Sequence, residues 1–67
     1  MSALRNYNRI KLVLVENNKS NKWLAEKLKM SETTVSNWCT NNRQPSLPTL
    51  FKIASALEIS PKNLINA

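Results

Sequence analysis

Glu32, Thr33, Ser36, Asn37 and Thr40 fall at helical spacing along one stretch of this chain, and each has a short polar side chain. Such a face holds donors and acceptors close to the backbone. It can approach a patterned surface such as the edges of stacked bases with no long side chain in the way. The other side of the same stretch carries Val35, Trp38 and Cys39. A helix that only covered a core would ordinarily show long charged residues to water. Catalytic chemistry has little to work with. The chain has no His, no Asp, no Gly and one Cys, and its four Glu show no pairing for acid and base roles. Neither an enzyme nor a cofactor is expected, and a metal site has no ligand set.

The elements that must position this face are also legible. Ser31 suits the N-cap of the helix that carries it, with Glu32 in the first turn, where negative charge favours the dipole. Before it, Ser20 caps a shorter stretch with Leu24, Ala25 and Leu28 on one face, and Lys29-Met30 breaks that pattern. Two helices with a tight turn follow from Ser20 to Thr40. Upstream, Arg9 to Asn17 conflicts with itself, because Ile10 to Val15 is β-branched and partly alternating. A lone strand has nowhere to send its hydrogen bonds. Asn17-Asn18-Lys19 reads as a turn. Downstream, a loop at Asn41 to Pro45 leads to Ser46, the cap of a helix striped by Leu47, Leu50, Phe51, Ile53, Ala54 and Leu57. Ser60 and Pro61 then begin a short fifth helix that Leu64 and Ile65 end. The segment from Met1 to Tyr7 reads as a frayed start, with Tyr7 packing over the first helix or reaching a phosphate.

The buried positions Leu24, Ala25, Leu28, Val35 and Trp38 have the spacing and types of a helix-turn-helix, with Ala25 small enough to let the helices cross closely. With Arg9-Ile10-Lys11, Arg43-Gln44-Pro45-Ser46-Leu47 and the run from Ile53 to Ser60, the chain resembles the phage repressor and Cro family, the lambda-repressor-like or XRE class, from about Asn8 to Asn66. That resemblance implies an all-α, compact five-helix bundle with a central helix-turn-helix, and it makes the first element a helix with Ile10, Val13 and Leu14 inward. Leu12 and Val15 then need cover, from the C-terminal segment or from a dimer contact. It also implies a transcriptional regulator of double-stranded DNA, its recognition helix at about 32–40 in the major groove. On that reading Glu32, Thr33, Ser36, Asn37 and Thr40 face bases. Asn37 could match adenine N6 and N7, Glu32 a cytosine amino group, and the Thr33 methyl a thymine methyl. Asn21, Lys22, Asn41, Asn42 and Arg43 become phosphate contacts, with Lys29 a weaker one. The family often has Gly where this chain has Asn18, Lys29, Asn41 and Glu58. If the backbone keeps its positive φ there, Lys29 and Glu58 are strained by about 1 kcal/mol each.

At 67 residues there is room for one small domain spanning 1–67. Ten basic residues against four acidic ones, a net charge of +6, suit a polyanionic partner. A single Cys excludes an internal disulfide, and no apolar run is long enough for a membrane span, so a reducing cytoplasm is the expected setting, and the resemblance implies a bacterial or phage-encoded, nucleoid-associated protein. A homodimer on a palindrome is implied by the family, with Ile59, Leu64 and Ile65 as its surface. The alternative is a protein-interaction module or antitoxin-like partner, for a toxin or polymerase subunit. Trp38 is expected in the core and Cys39 as a small buried hydrophobe. Trp23 is expected to be half exposed, against the first helix or the recognition helix.

Overall fold

Three serines start three helices by the same device. Ser20, Ser31 and Ser46 have extended backbones, and their hydroxyls accept from the amides of Trp23 at 3.0 Å, Thr34 at 3.1 Å and Thr49 at 3.3 Å. Each bond satisfies one of the amides that a helix start leaves without a partner. The computed structural model describes residues 6–66, and the frayed start expected for 1–7 falls mainly outside them. The described residues form α1 (Ile10–Glu16), α2 (Asn21–Leu28), α3 (Glu32–Cys39), α4 (Leu47–Leu57) and a 3-10 turn at Pro61–Leu64. The expected fifth helix is therefore only this turn. Ser60 stands at its N-cap without a side-chain bond, because a four-residue segment has few amides to cap.

The helices end alike, and without glycine. Asn18, Lys29, Asn41 and Glu58 all have positive φ, between 57° and 61°. The amide after each one reaches back to a carbonyl in the last turn: Lys19 to Leu14 at 2.8 Å, Met30 to Ala25 at 2.9 Å, Asn42 to Asn37 at 2.9 Å and Ile59 to Ala54 at 3.0 Å. This is the Schellman closure, which needs a left-handed residue. The four positions are those expected to have it, so the turns keep their geometry and Lys29 and Glu58 carry the strain.

The core takes Ile10, Val13 and Leu14 from α1, Leu24 and Ala25 from α2, and Val35 and Trp38 from α3. Leu50, Ile53, Ala54 and Leu57 of α4 complete it, with Leu64 from the last turn. Leu28 is only partly buried beside it. Two residues of the expected α4 stripe are not in it: Leu47 is 64% exposed and Phe51 56%. Phe51 lies one residue, about 100° of helix rotation, from Leu50, and Leu47 sits in the first turn before α4 reaches the core. Leu12 and Val15 of α1 stay exposed, so the C-terminal segment does not cover them. That segment instead pairs with the N-terminal one. Asn8 and Ile65 form an isolated antiparallel bridge, the Arg9 amide donates to the Leu64 carbonyl at 2.9 Å, and the Asn66 amide to that of exposed Tyr7 at 2.9 Å. Leu64 is fully buried, which removes it from the expected dimer surface, while Ile59 is partly buried and Ile65 exposed.

Candidate nucleic-acid interface

The apolar half of α3 fixes which half faces out. Val35 and Trp38 are buried, so Glu32, Thr33 and Ser36 are exposed and Asn37 lies at the margin. Glu32 occupies the first turn of α3. Thr40 ends the helix rather than extending it. It is exposed, but its hydroxyl donates back to the carbonyls of Ser36 at 3.1 Å and Asn37 at 3.3 Å, which leaves its methyl and lone pairs for an outside group.

Around the Asn37 carbonyl the structure gathers residues that sequence spacing had kept apart by role. The amides of Asn42, at 2.9 Å, and Arg43, at 3.1 Å, both donate to it. The Asn42 side chain also turns inward, its Nδ2 donating to Asn37 Oδ1 at 3.2 Å. Arg43 is exposed. Lys22 is exposed in the first turn of α2. Beside it, Asn21 Oδ1 accepts from Cys39 Sγ at 3.4 Å and lies 3.5 Å from Lys11 Nζ, which ties the start of α2 to the end of α3 and to α1.

Asn41 is placed unlike the other residues expected at phosphates. It is 9% exposed, and its carboxamide is held at both ends: Oδ1 accepts from the Asn8 amide at 2.9 Å, and Nδ2 donates to the Asn8 carbonyl at 3.1 Å. Its side chain is a structural clamp, with one Nδ2 N–H spent on Asn8. Asn8 is equally buried. Its Nδ2 donates to the Trp38 carbonyl at 3.0 Å and to Gln44 Oε1 at 2.7 Å, and its Oδ1 accepts from the Ile10 amide at 3.0 Å. Gln44 Nε2 closes the set on Asn41 Oδ1 at 3.1 Å. Asn8, Asn41 and Gln44 thus bolt the start of α1 to the end of α3 and the loop behind it. The sequence reading missed Asn8 and Gln44. An Asn just before a helix signals a local cap, but nothing local points to partners 30 to 36 residues away.

Cys39 is half-buried rather than buried. Burial pushes its thiol pKa up, and the nearby Lys11 ammonium pulls against that shift. Trp23 is half-buried as expected, though not against α3. Its ring shares a cleft with Asn17, Leu57 and Glu58, and the ammonium groups of Lys19 and Lys27 lie 4.8 and 5.9 Å from its centre. Among the described residues, no group of three or more His, Cys, Asp or Glu is placed to hold a metal, and no helix is long and apolar enough to cross a membrane.

Comparison with known proteins agrees with this geometry. A helix-turn-helix family profile matches residues 10–64. The crystal structure of a Bacteroides fragilis protein, provisionally described as DNA-binding, is 52% identical with a TM-score of 0.88, over 90% of this chain and 97% of that one. The restriction-modification controller protein C.AhdI from Aeromonas hydrophila is 26% identical with a TM-score of 0.78, over 85% of this chain and 86% of its own. No curated protein matches the sequence.

Proposed function

The chain belongs to the helix-turn-helix family, in its lambda-repressor-like (XRE) class, as a DNA-binding transcription regulator, and we propose that it reads a specific duplex operator with α3 in the major groove, as a homodimer. The observation that carries this reading is the outer face of α3. Glu32, Thr33 and Ser36 are exposed, short and polar, on a helix capped at its start and bolted at its end. Together with Asn37 and the end of the helix at Thr40, they are the base-facing set. Lys22 and Arg43, with Asn21 and Asn42 beside them, are the phosphate-facing set. Alanine at Lys22 or Arg43 should weaken binding on all sequences alike and lower the salt slope by about one per residue.

The resemblance to a restriction-modification controller favours a stand-alone regulator over an antitoxin-like module. One α3 spans only a half-site, so a second copy is needed to read a palindrome with half-sites about 10 bp apart. For its surface we propose the exposed Leu47 and Phe51, one helical turn apart on α4, in place of the buried Leu64. Selection of binding sites from a random duplex pool at physiological salt tests the whole reading. A palindromic consensus is expected. Weak, salt-sensitive binding without enrichment would refute it and turn attention to a protein partner for the same face.

A further inference from the structure

A carboxamide is a reader with two unlike ends, one that accepts and one that donates. Turned half-way round, Asn37 would show a base the opposite pattern. Its orientation therefore decides what it reads, and the structure contains a group that sets it. Asn41 is held in the left-handed conformation with its side chain locked on Asn8. Two backbone bonds to the Asn37 carbonyl, from Asn42 and Arg43, then fold the chain back over the last turn of α3. Asn42 is thereby placed beside Asn37 before any DNA arrives, and its Nδ2 donates to Asn37 Oδ1 at 3.2 Å. One lone pair of Asn37 Oδ1 is taken, and the oxygen is turned toward Asn42. Among the described residues, Asn37 Nδ2 has no acceptor of its own, so the end left over carries N–H donors.

We infer that Asn42 is a specificity-determining residue, which orients Asn37 so that it offers donors to a base edge made of acceptors. Guanine, with O6 and N7 in the major groove, fits that edge best. Adenine would need one donor and one acceptor from the same carboxamide. The contact gains strength when DNA excludes water from it, because hydrogen bonds tighten in a lower dielectric. This inference rests on the proposed placement of Asn37 at a base.

The test compares site preferences of the full chain with those of Asn37→Ala, Asn42→Ala and Asn42→Asp, each first shown to keep its helical circular dichroism and melting midpoint. Asn37→Ala should flatten one position of the consensus, where the unaltered chain prefers guanine. Asn42→Ala should broaden that position by freeing Asn37 to turn. Asn42→Asp should shift it. A carboxylate can only accept from Asn37 Nδ2, which turns Oδ1 outward and favours the amino-bearing bases, adenine or cytosine, by roughly tenfold relative to guanine. The added negative charge lowers affinity for every sequence, but the ratio between bases does not depend on that loss. If both Asn42 variants weaken all sites uniformly and leave the position alone while Asn37→Ala changes it, Asn42 is a backbone contact and the inference fails by itself. If Asn37→Ala changes no position, the base-facing placement of Asn37 fails and takes the inference with it.

Discussion

Glu58 and Asn41 share one backbone conformation and owe it to different causes. Glu58, at φ 57°, is exposed and ends α4, and its Cβ makes the left-handed turn unfavourable. Glu58→Gly should therefore raise unfolding stability by about 0.5–1 kcal/mol, seen as a higher urea midpoint at unchanged slope. A lower midpoint would mean that the side chain contributes more than the strain removes. Asn41→Gly should go the other way by about 1–3 kcal/mol, because it leaves the buried Asn8 amide without a partner and the Asn8 carbonyl with only the long bond from Asn66 Nδ2 at 3.4 Å. Cys39 makes a third case. Its raised thiol pKa and partial burial hold back the thiolate, so alkylation near neutral pH should be slower than for a small-molecule thiol and should speed up on unfolding. Equal rates would show that the site is open. The family resemblance pointed to the left-handed residues, but it could not tell which of them also clamps something remote.

At the scale of the element, a helix start matters in proportion to the amides it satisfies. Ser31 accepts from the Thr34 amide and meets the Thr34 hydroxyl at 2.9 Å, whereas Ser60 makes no side-chain cap bond. Ser31→Ala should lower stability by about 1 kcal/mol, and Ser60→Ala should stay within about 0.5 kcal/mol of the unaltered chain. Thermal melts followed by circular dichroism separate the two, and comparable losses would mean the last turn is capped in solution after all. The same contrast explains the helix count. Ser-Pro is a valid start signal, but only two residues separate Pro61 from Leu64, where the chain leaves to pair with the segment around Asn8. An isolated bridge to the far end of the chain overrides a local helix signal.

For the whole molecule, the proposed homodimer needs a surface for its second copy. Phe51→Ser should leave the fold intact, since the side chain is 56% exposed, and should shift the chain from dimer to monomer in sedimentation at micromolar concentration. Loss of binding to a palindrome with retained weak binding to a half-site should accompany it. A dimer that persists in Phe51→Ser would move the interface to the other exposed apolar residues, Leu12 and Val15 on α1 or Ile65 beside the bridge. The net charge of +6 belongs to this scale as well. It gives affinity for any duplex, and the exposed polar face of α3 is what can turn that affinity into a choice among sequences.

The sequence by itself determined the helical starts at Ser20, Ser31 and Ser46, the inward Leu24, Ala25, Val35 and Trp38 of α2 and α3, and the outward face of α3. Each of these follows from local preference or from helical spacing, which act over a few residues. It did not determine whether Leu47, Phe51, Ile59 and Leu64 are covered, because burial at the edge of a core depends on where other elements end. Nor did it determine the Asn8–Asn41–Gln44 clamp or the turn of Asn42 onto Asn37. Those are hydrogen bonds with directions, and side chains of one type can make them or leave them to water. Only the tertiary arrangement, which brings the start of α1 against the end of α3, decides between the two.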